Sequence, residues 1–356
     1  MMRKITSIAL FVLFSVATFS QIPSGYYSTA EGKTGATLKT ALFNIIKTHT
    51  VRTYSNLWTD FQTTDKRTDG KVWDMYSSCS LTFVIDQDNG SGGTSECEKY
   101  NREHSFPNSW FNGDQASPMY TDLFHLYPTD KKVNNTRSNY IYGVVLTPSY
   151  TSSNGCKLGS SDPATGFSGT VFEPINEYKG DFARSYFYMA TCYEDKIAGW
   201  ASYATEAQAI LAGNSFPAYK AWYVTLLLGW CQQDPVSQKE IDRNNAVYSI
   251  QGNRNPYIDH PEYVQAVWGT NTGVDNVNSL SHVSIYPNPA KNEISVEALN
   301  TKADDLKIVN VTGNTIIQTT YDGGEKTIDI SKLNPGVYIV IISGKTFRNA
   351  TKIVIY

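Results

Sequence analysis

Charge is scarce in this chain and favours neither sign: 30 Lys and Arg stand against 33 Asp and Glu in 356 residues, a formal net charge of −3. That excludes a strongly basic domain that would hold nucleic acid through its whole field, and residues 21–276, at about −6, are acidic. Any phosphate recognition must come from a local basic cluster. Long apolar runs are missing after the first twenty residues; even Ala221–Trp230 is followed at once by Cys-Gln-Gln-Asp-Pro, so no retained membrane span is expected. The sequence has no His-Glu-x-x-His and no Gly-x-Ser-x-Gly, which removes the helix-borne zinc protease and the serine hydrolase built on a nucleophile elbow. Cysteine is sparse: residues 79, 97, 156, 192 and 231 show no C-x-x-C spacing and no histidine close by in sequence, against a Cys-only zinc site and a catalytic thiol.

What is present starts with a leader. Arg3 and Lys4, an apolar run from Ile8 to Phe19 and Ser20-Gln21 read as a signal peptide over residues 1–20, which places the mature protein in an oxidising compartment as a soluble chain. Cys79 and Cys97 flank the Gly/Ser-rich segment from Asp86 to Glu96 and are the expected disulfide; the odd count leaves at least one thiol unpaired in a monomer, the expected state.

The chemistry concentrates in Tyr100-Asn-Arg-Glu-His-Ser-Phe-Pro-Asn-Ser-Trp-Phe111. A carboxylate is a hard oxygen ligand for a divalent cation, and an imidazole can accept a proton from water near neutral pH. Side by side, Glu103 and His104 suggest metal-assisted hydrolysis. The string, with Asp122-Leu-Phe-His-Leu-Tyr-Pro128, Val133-Asn-Asn-Thr-Arg-Ser-Asn139, Lys179-Gly-Asp-Phe-Ala-Arg184 and the run from Arg243 to Pro261, resembles the endonuclease I family of secreted bacterial nucleases, whose active site is a ββα-metal (His-Me) finger. The resemblance spans most of residues 30–268.

It implies that His104 is the general base and that Glu103 and Asn134 hold Mg²⁺, with Mn²⁺ or Ca²⁺ as possible substitutes, for cleavage of DNA, and of RNA as a further substrate, to 5′-phosphate ends. Arg137, Arg184 and Arg254 are candidate phosphate clamps, with salt bridges to local acids as the competing assignment for Arg137 and Arg184. His125, preceded by Phe124 where the family commonly has another histidine, either supports the site or bonds a backbone carbonyl. Residues 105–121 contain no arginine, although some family members carry one between the two strands. Two other functions stay open: an extracellular ribonuclease of the same fold, and a non-enzymatic surface adhesion or glycan-binding protein.

The expected fold class is α+β: a mixed helical nuclease domain (21–270) around the finger, a linker (271–282), and a small all-β sandwich (283–356). Leu38, Leu42, Ile45 and Ile46 recur at helical spacing in 36–49. Residues 79–86 and 96–104 are expected as a hairpin and 122–127 as the next strand; a helix over 131–139, for which Asp130 offers a cap, is what the resemblance implies, since Asn134, Asn135, Thr136 and Asn139 are poor helix formers. Longer helices are expected over 181–199, 216–232 and 236–250, their aromatic residues forming core rather than a base-stacking platform. Residues 283–356 alternate as short strands and resemble the C-terminal sorting domain of type IX secretion cargo, with Tyr286-Pro-Asn-Pro289 and Leu333-Asn-Pro-Gly-Val-Tyr338 as its most telling pieces. That implies hand-over to the type IX machinery and delivery to the cell surface or medium.

Overall fold

Helix α1 (Gly35–Ile46) forms where the apolar spacing requires it and buries Leu38, Leu42 and Ile46. The computed structural model describes residues 22–269, 283–298, 305–310, 314–322, 324–343 and 348–356; the expected signal (1–20) and linker (271–282) lie outside the described residues. The chain divides into two compact units between Gly269 and Thr270.

In the first unit α1 is followed by α2 (Leu57–Thr64), strands β1 (Tyr100–His104) and β2 (Leu126–Asp130), and α3 (Lys131–Arg137). A three-stranded antiparallel sheet comes next, β3 (Val145–Thr151), β4 (Lys157–Ser161) and β5 (Thr170–Glu173). Helices α4 (Lys179–Cys192), α5 (Ile197–Trp200), α6 (Thr205–Ile210), α7 (Ala221–Gln233), α8 (Gln238–Gln251), α9 (Pro256–Asp259) and α10 (Glu262–Trp268) complete it. Every residue of α4 is buried, so this helix is the pillar of the unit rather than an amphipathic cover. Tyr186, Phe187 and Tyr188 of α4, with Tyr223 and Trp230 of α7, are core residues, as expected. A capping box between Ser237 and Glu240 opens α8, and Gly252 at φ 83° closes it in the left-handed conformation.

The expected hairpin 79–86/96–104 does not form. Val84 and Cys97 both take positive φ (69° and 68°), which breaks the extended run, and the segment is closed instead by the Cys79–Cys97 disulfide. Strand β1 pairs antiparallel with β2, Glu103 opposite Tyr127 and His104 opposite Leu126. The strand expected over 122–127 is thus shifted toward Asp130. That residue caps α3, one carboxylate oxygen accepting from the Lys132 and Val133 amides and the other from the Cys97 amide. The helix stops at Arg137, short of the expected 139, because Ser138 adopts φ 52°.

The second unit stacks a three-stranded sheet, β6 (Val283–Tyr286), β7 (Glu293–Ala298) and β10 (Gly324–Asp329), on a four-stranded one, β8 (Asp305–Asn310), β9 (Thr315–Thr320), β11 (Gly336–Ser343) and β12 (Arg348–Ile355). Ile294 and Val296 meet Leu306, Ile308, Val340 and Ile342 in one core, the sandwich expected from alternation.

Candidate active site

Strand β1 sends alternate side chains to opposite sides, and its contacts divide accordingly. Asn101 and Glu103 face α3: Asn134 Nδ2 donates to Asn101 Oδ1 (2.7 Å), and Arg137 Nη1 donates to Glu103 Oε1 (2.7 Å). Arg102 and His104 face Tyr54, the guanidinium 3.5 Å from its ring centroid and the imidazole stacked on it at 6.1 Å. The strand ends at His104, and Ser105 turns away to donate to the His125 carbonyl.

Glu103 is buried, and both groups that hold it use one oxygen: Tyr76 Oη donates to Oε1 (2.8 Å) alongside Arg137. Tyr76 is bonded in turn to the Tyr142 hydroxyl. The other oxygen, Oε2, accepts no hydrogen bond from any described residue. Burial raises the Glu103 pKa to about 6, against the lowering effects of Arg137 and Tyr76. The carboxylate is therefore oriented through one oxygen with the other left over, the arrangement of a metal ligand steered by outer partners. Asn134, half-buried, likewise uses its amide N–H toward Asn101 and keeps its carbonyl oxygen uncommitted. Two spare oxygens of this type match Mg²⁺, which takes few protein ligands and retains several waters.

His104 is buried, and its Nε2 lies 2.9 Å from the Tyr120 carbonyl. A carbonyl only accepts, so Nε2 carries the proton and Nδ1 keeps a lone pair. Burial, then the nearby His125, lowers the His104 pKa to about 3, which leaves the ring neutral at physiological pH. The same burial weakens the ring as a base, so what favours His104 as a proton acceptor is geometric, a fixed tautomer that leaves Nδ1 free. His125, 5.6 Å from His104 between centroids, places Nε2 2.6 Å from the Met119 carbonyl. It pins the same Pro118–Thr121 turn that holds His104, and burial lowers its pKa too.

The three arginines marked as phosphate clamps are all committed internally. Arg137 spends all five N–H groups on Glu103, the carbonyls of His104, Ser105 and Tyr140, and the Tyr186 hydroxyl. It cannot clamp phosphate; it fixes the end of β1. Arg184 forms a two-pronged pair with Glu240, and Arg254 another with Asp259, both buried. A salt bridge is the competing assignment for Arg184, though its partner is distant in sequence rather than local, and the two pairs take both residues out of phosphate contact.

Among the described residues, the group of His, Cys, Asp or Glu ligand atoms that lies within 4.8 Å is His49, Asp122 and Cys192, away from Glu103. Asp122 there already accepts from the Tyr188 and Tyr193 hydroxyls, the Phe124 amide and Gln251 Nε2. Its lone-pair positions are filled, so the group reads as a buried polar network. Cys156, Cys192 and Cys231 remain thiols.

Tyr76, Tyr142, Tyr120, Tyr54, Asn101 and Arg102 complete the site and were not singled out from sequence. Asn101 and Arg102 were within reach of a period-two reading of β1; the tyrosines carry no local signal.

Comparison with known proteins places the chain in a family. The family described as Endonuclease I matches residues 34–262, and the Secretion system C-terminal sorting domain matches residues 284–356. An extracellular ribonuclease of Bacillus amyloliquefaciens is 35% identical over 257 residues, 71% of this chain and 81% of that protein. One from Bacillus subtilis (strain 168) is 35% identical over 246 residues, covering 68% and 78% respectively. Endonuclease-1 of Buchnera aphidicola subsp. Baizongia pistaciae is 30% identical over 138 residues, 39% of this chain and 46% of that one.

Proposed function

Because the chain belongs to the endonuclease I family and carries a type IX sorting tail, it is a nuclease of the cell surface or medium, and we propose that it is a sequence-tolerant, Mg²⁺-dependent endonuclease acting on both RNA and DNA. The observation that carries the catalytic reading is His104, a neutral buried imidazole whose Nε2 is occupied by a carbonyl and whose Nδ1 is left to act.

In this reading His104 Nδ1 removes the proton from the attacking water. Glu103 and Asn134 would hold the divalent cation through the oxygens that the fold leaves unbonded. When bound, that ion supplies positive charge to the phosphate and to the departing 3′ oxygen. Arg137, Tyr76 and Tyr142 keep Glu103 in place, while Tyr120 fixes the His104 tautomer. Cleavage leaves 5′-phosphate ends. Metal dependence accords with the habit of the family. RNA enters beside DNA because two relatives that match most of this unit are named extracellular ribonucleases. The adhesion alternative gives way to family membership.

The test is digestion of plasmid DNA and of a long RNA by the purified protein, with Mg²⁺ and with chelator, beside His104→Ala. Metal-dependent cleavage of both polymers, reduced about 10²- to 10⁴-fold in the variant, is expected. A folded His104→Ala protein that cuts at the original rate removes His104 as the base, and cleavage of RNA alone narrows the substrate.

A further inference from the structure

The nuclease unit contains seven arginines, Arg52, Arg67, Arg102, Arg137, Arg184, Arg243 and Arg254. Six pair with a carboxylate: Asp60, Asp69, Glu103, Glu240, Asp65 and Asp259 in the same order. Arg102 has no carboxylate partner among the described residues. The nearby Asp88 is committed to Lys131. Arg102 instead lies between two aromatic rings, 3.5 Å from the centroid of Tyr54 and 4.2 Å from that of Trp58, all three side chains half-buried. Its one hydrogen bond runs from Nη1 to the Tyr54 carbonyl (2.7 Å).

Stacking engages the two faces of a guanidinium and leaves its charge and in-plane N–H donors available. Such a sandwich also holds the side chain in one plane, so less rotamer freedom is lost when an anion binds. The location is specific. Arg102 sits two residues before His104 on the same face of β1, and both rest on Tyr54.

We propose that Arg102, framed by Tyr54 and Trp58, is a substrate phosphate-binding residue of this nuclease, gripping the nucleic-acid backbone beside the phosphodiester that His104 serves; the proposal rests on the nuclease reading of that site. Its role is a charge-assisted hydrogen bond to a phosphate oxygen, without base recognition, in keeping with sequence tolerance.

The experiment measures binding of a short fluorescein-labelled single-stranded DNA by full-length protein carrying His104→Ala, in Mg²⁺, over a range of salt concentrations. Adding Arg102→Ala is expected to weaken binding about 10- to 100-fold. The slope of log K against log salt should become shallower by about 0.7 to 1, one phosphate contact fewer. Arg102→Lys is expected to recover the slope and only part of the affinity. Unchanged affinity overturns the proposal, and so does weaker binding with an unchanged slope, which would mark a structural arginine. Urea unfolding of each variant identifies any loss that comes from misfolding. Cleavage by wild-type protein that disappears with His104→Ala, together with an unmoved Arg102 slope, removes this proposal and leaves the nuclease site standing. Salt-dependent binding through Arg102 without cleavage by wild-type protein removes the nuclease reading and the substrate role with it, and leaves Arg102 as a phosphate-binding residue alone.

Discussion

The two sides of β1 carry the same kinds of residue to opposite ends. On the Glu103 side an arginine is sealed in, every N–H of Arg137 is matched, and the carboxylate it serves is pinned through one oxygen. On the His104 side an arginine lies half-buried between rings, with most of its donors unspent. On one face the arginine is fully spent and sets geometry; on the other it keeps donors that the fold has not used. A guanidinium is thus a structural clamp or a substrate contact according to how many of its five donors the fold has already used.

The largest expected effect comes from breaking the saturated side. Arg137→Ala leaves Glu103 buried without its cation and takes the Arg137 donors from the His104 and Tyr140 carbonyls, at a cost of about 3–5 kcal/mol in urea unfolding. The matching Arg102→Ala change should cost under about 1 kcal/mol, so equal losses would erase the contrast between the faces. Next in size is Glu103→Gln, which keeps the shape but removes the ligand charge. Calorimetric Mg²⁺ titration is expected to show at least a tenfold weaker site, and unaltered affinity would move the metal away from Glu103. Tyr76→Phe sharpens the distinction between holding and reacting. Losing the hydroxyl that steers Glu103 Oε1 is expected to destabilise the fold by about 1 kcal/mol and to reduce kcat more than substrate affinity.

The smallest test concerns the support of Tyr76 itself. Burial raises the pKa of Asp74, which accepts from the Tyr76 amide and Ser77 hydroxyl, to about 7. A carboxyl group that titrates higher when folded binds more protons in the native than in the unfolded state between its ordinary range and pH 7. Stability therefore falls as pH rises through that window. Asp74→Asn should flatten this decline between about pH 4 and 7, measured as the urea midpoint at each pH.

Much of the fold was legible. The spacing of Leu38, Leu42 and Ile46 located α1, and alternation located the C-terminal sandwich, because one-sided burial writes a period into the sequence. The run 79–86 misled for a physical reason: β-prone residues alone do not make a strand when Val84 and Cys97 must turn through positive φ to bring a disulfide together. At the site, Glu103 and His104 stood out by chemical type, and Asn134 only through the family resemblance. Their supports did not, since Tyr142 meets Tyr76 from 66 residues away and Glu240 meets Arg184 from 56. A chain read in order does not show which arginine will be neutralised across such a gap. Arg254 was the exception, with Asp259 five residues on.

Asp130 joins two events that are separate in the life of the chain. One of its oxygens starts the helix bearing Asn134 and Arg137, and the other receives the amide of Cys97, a half-cystine. Oxidation of a thiol pair and the setting of a helix that flanks the catalytic strand thus converge on a single carboxylate. Inside a reducing cytosol the Cys97 end of that bridge is untethered; beyond the membrane it is locked.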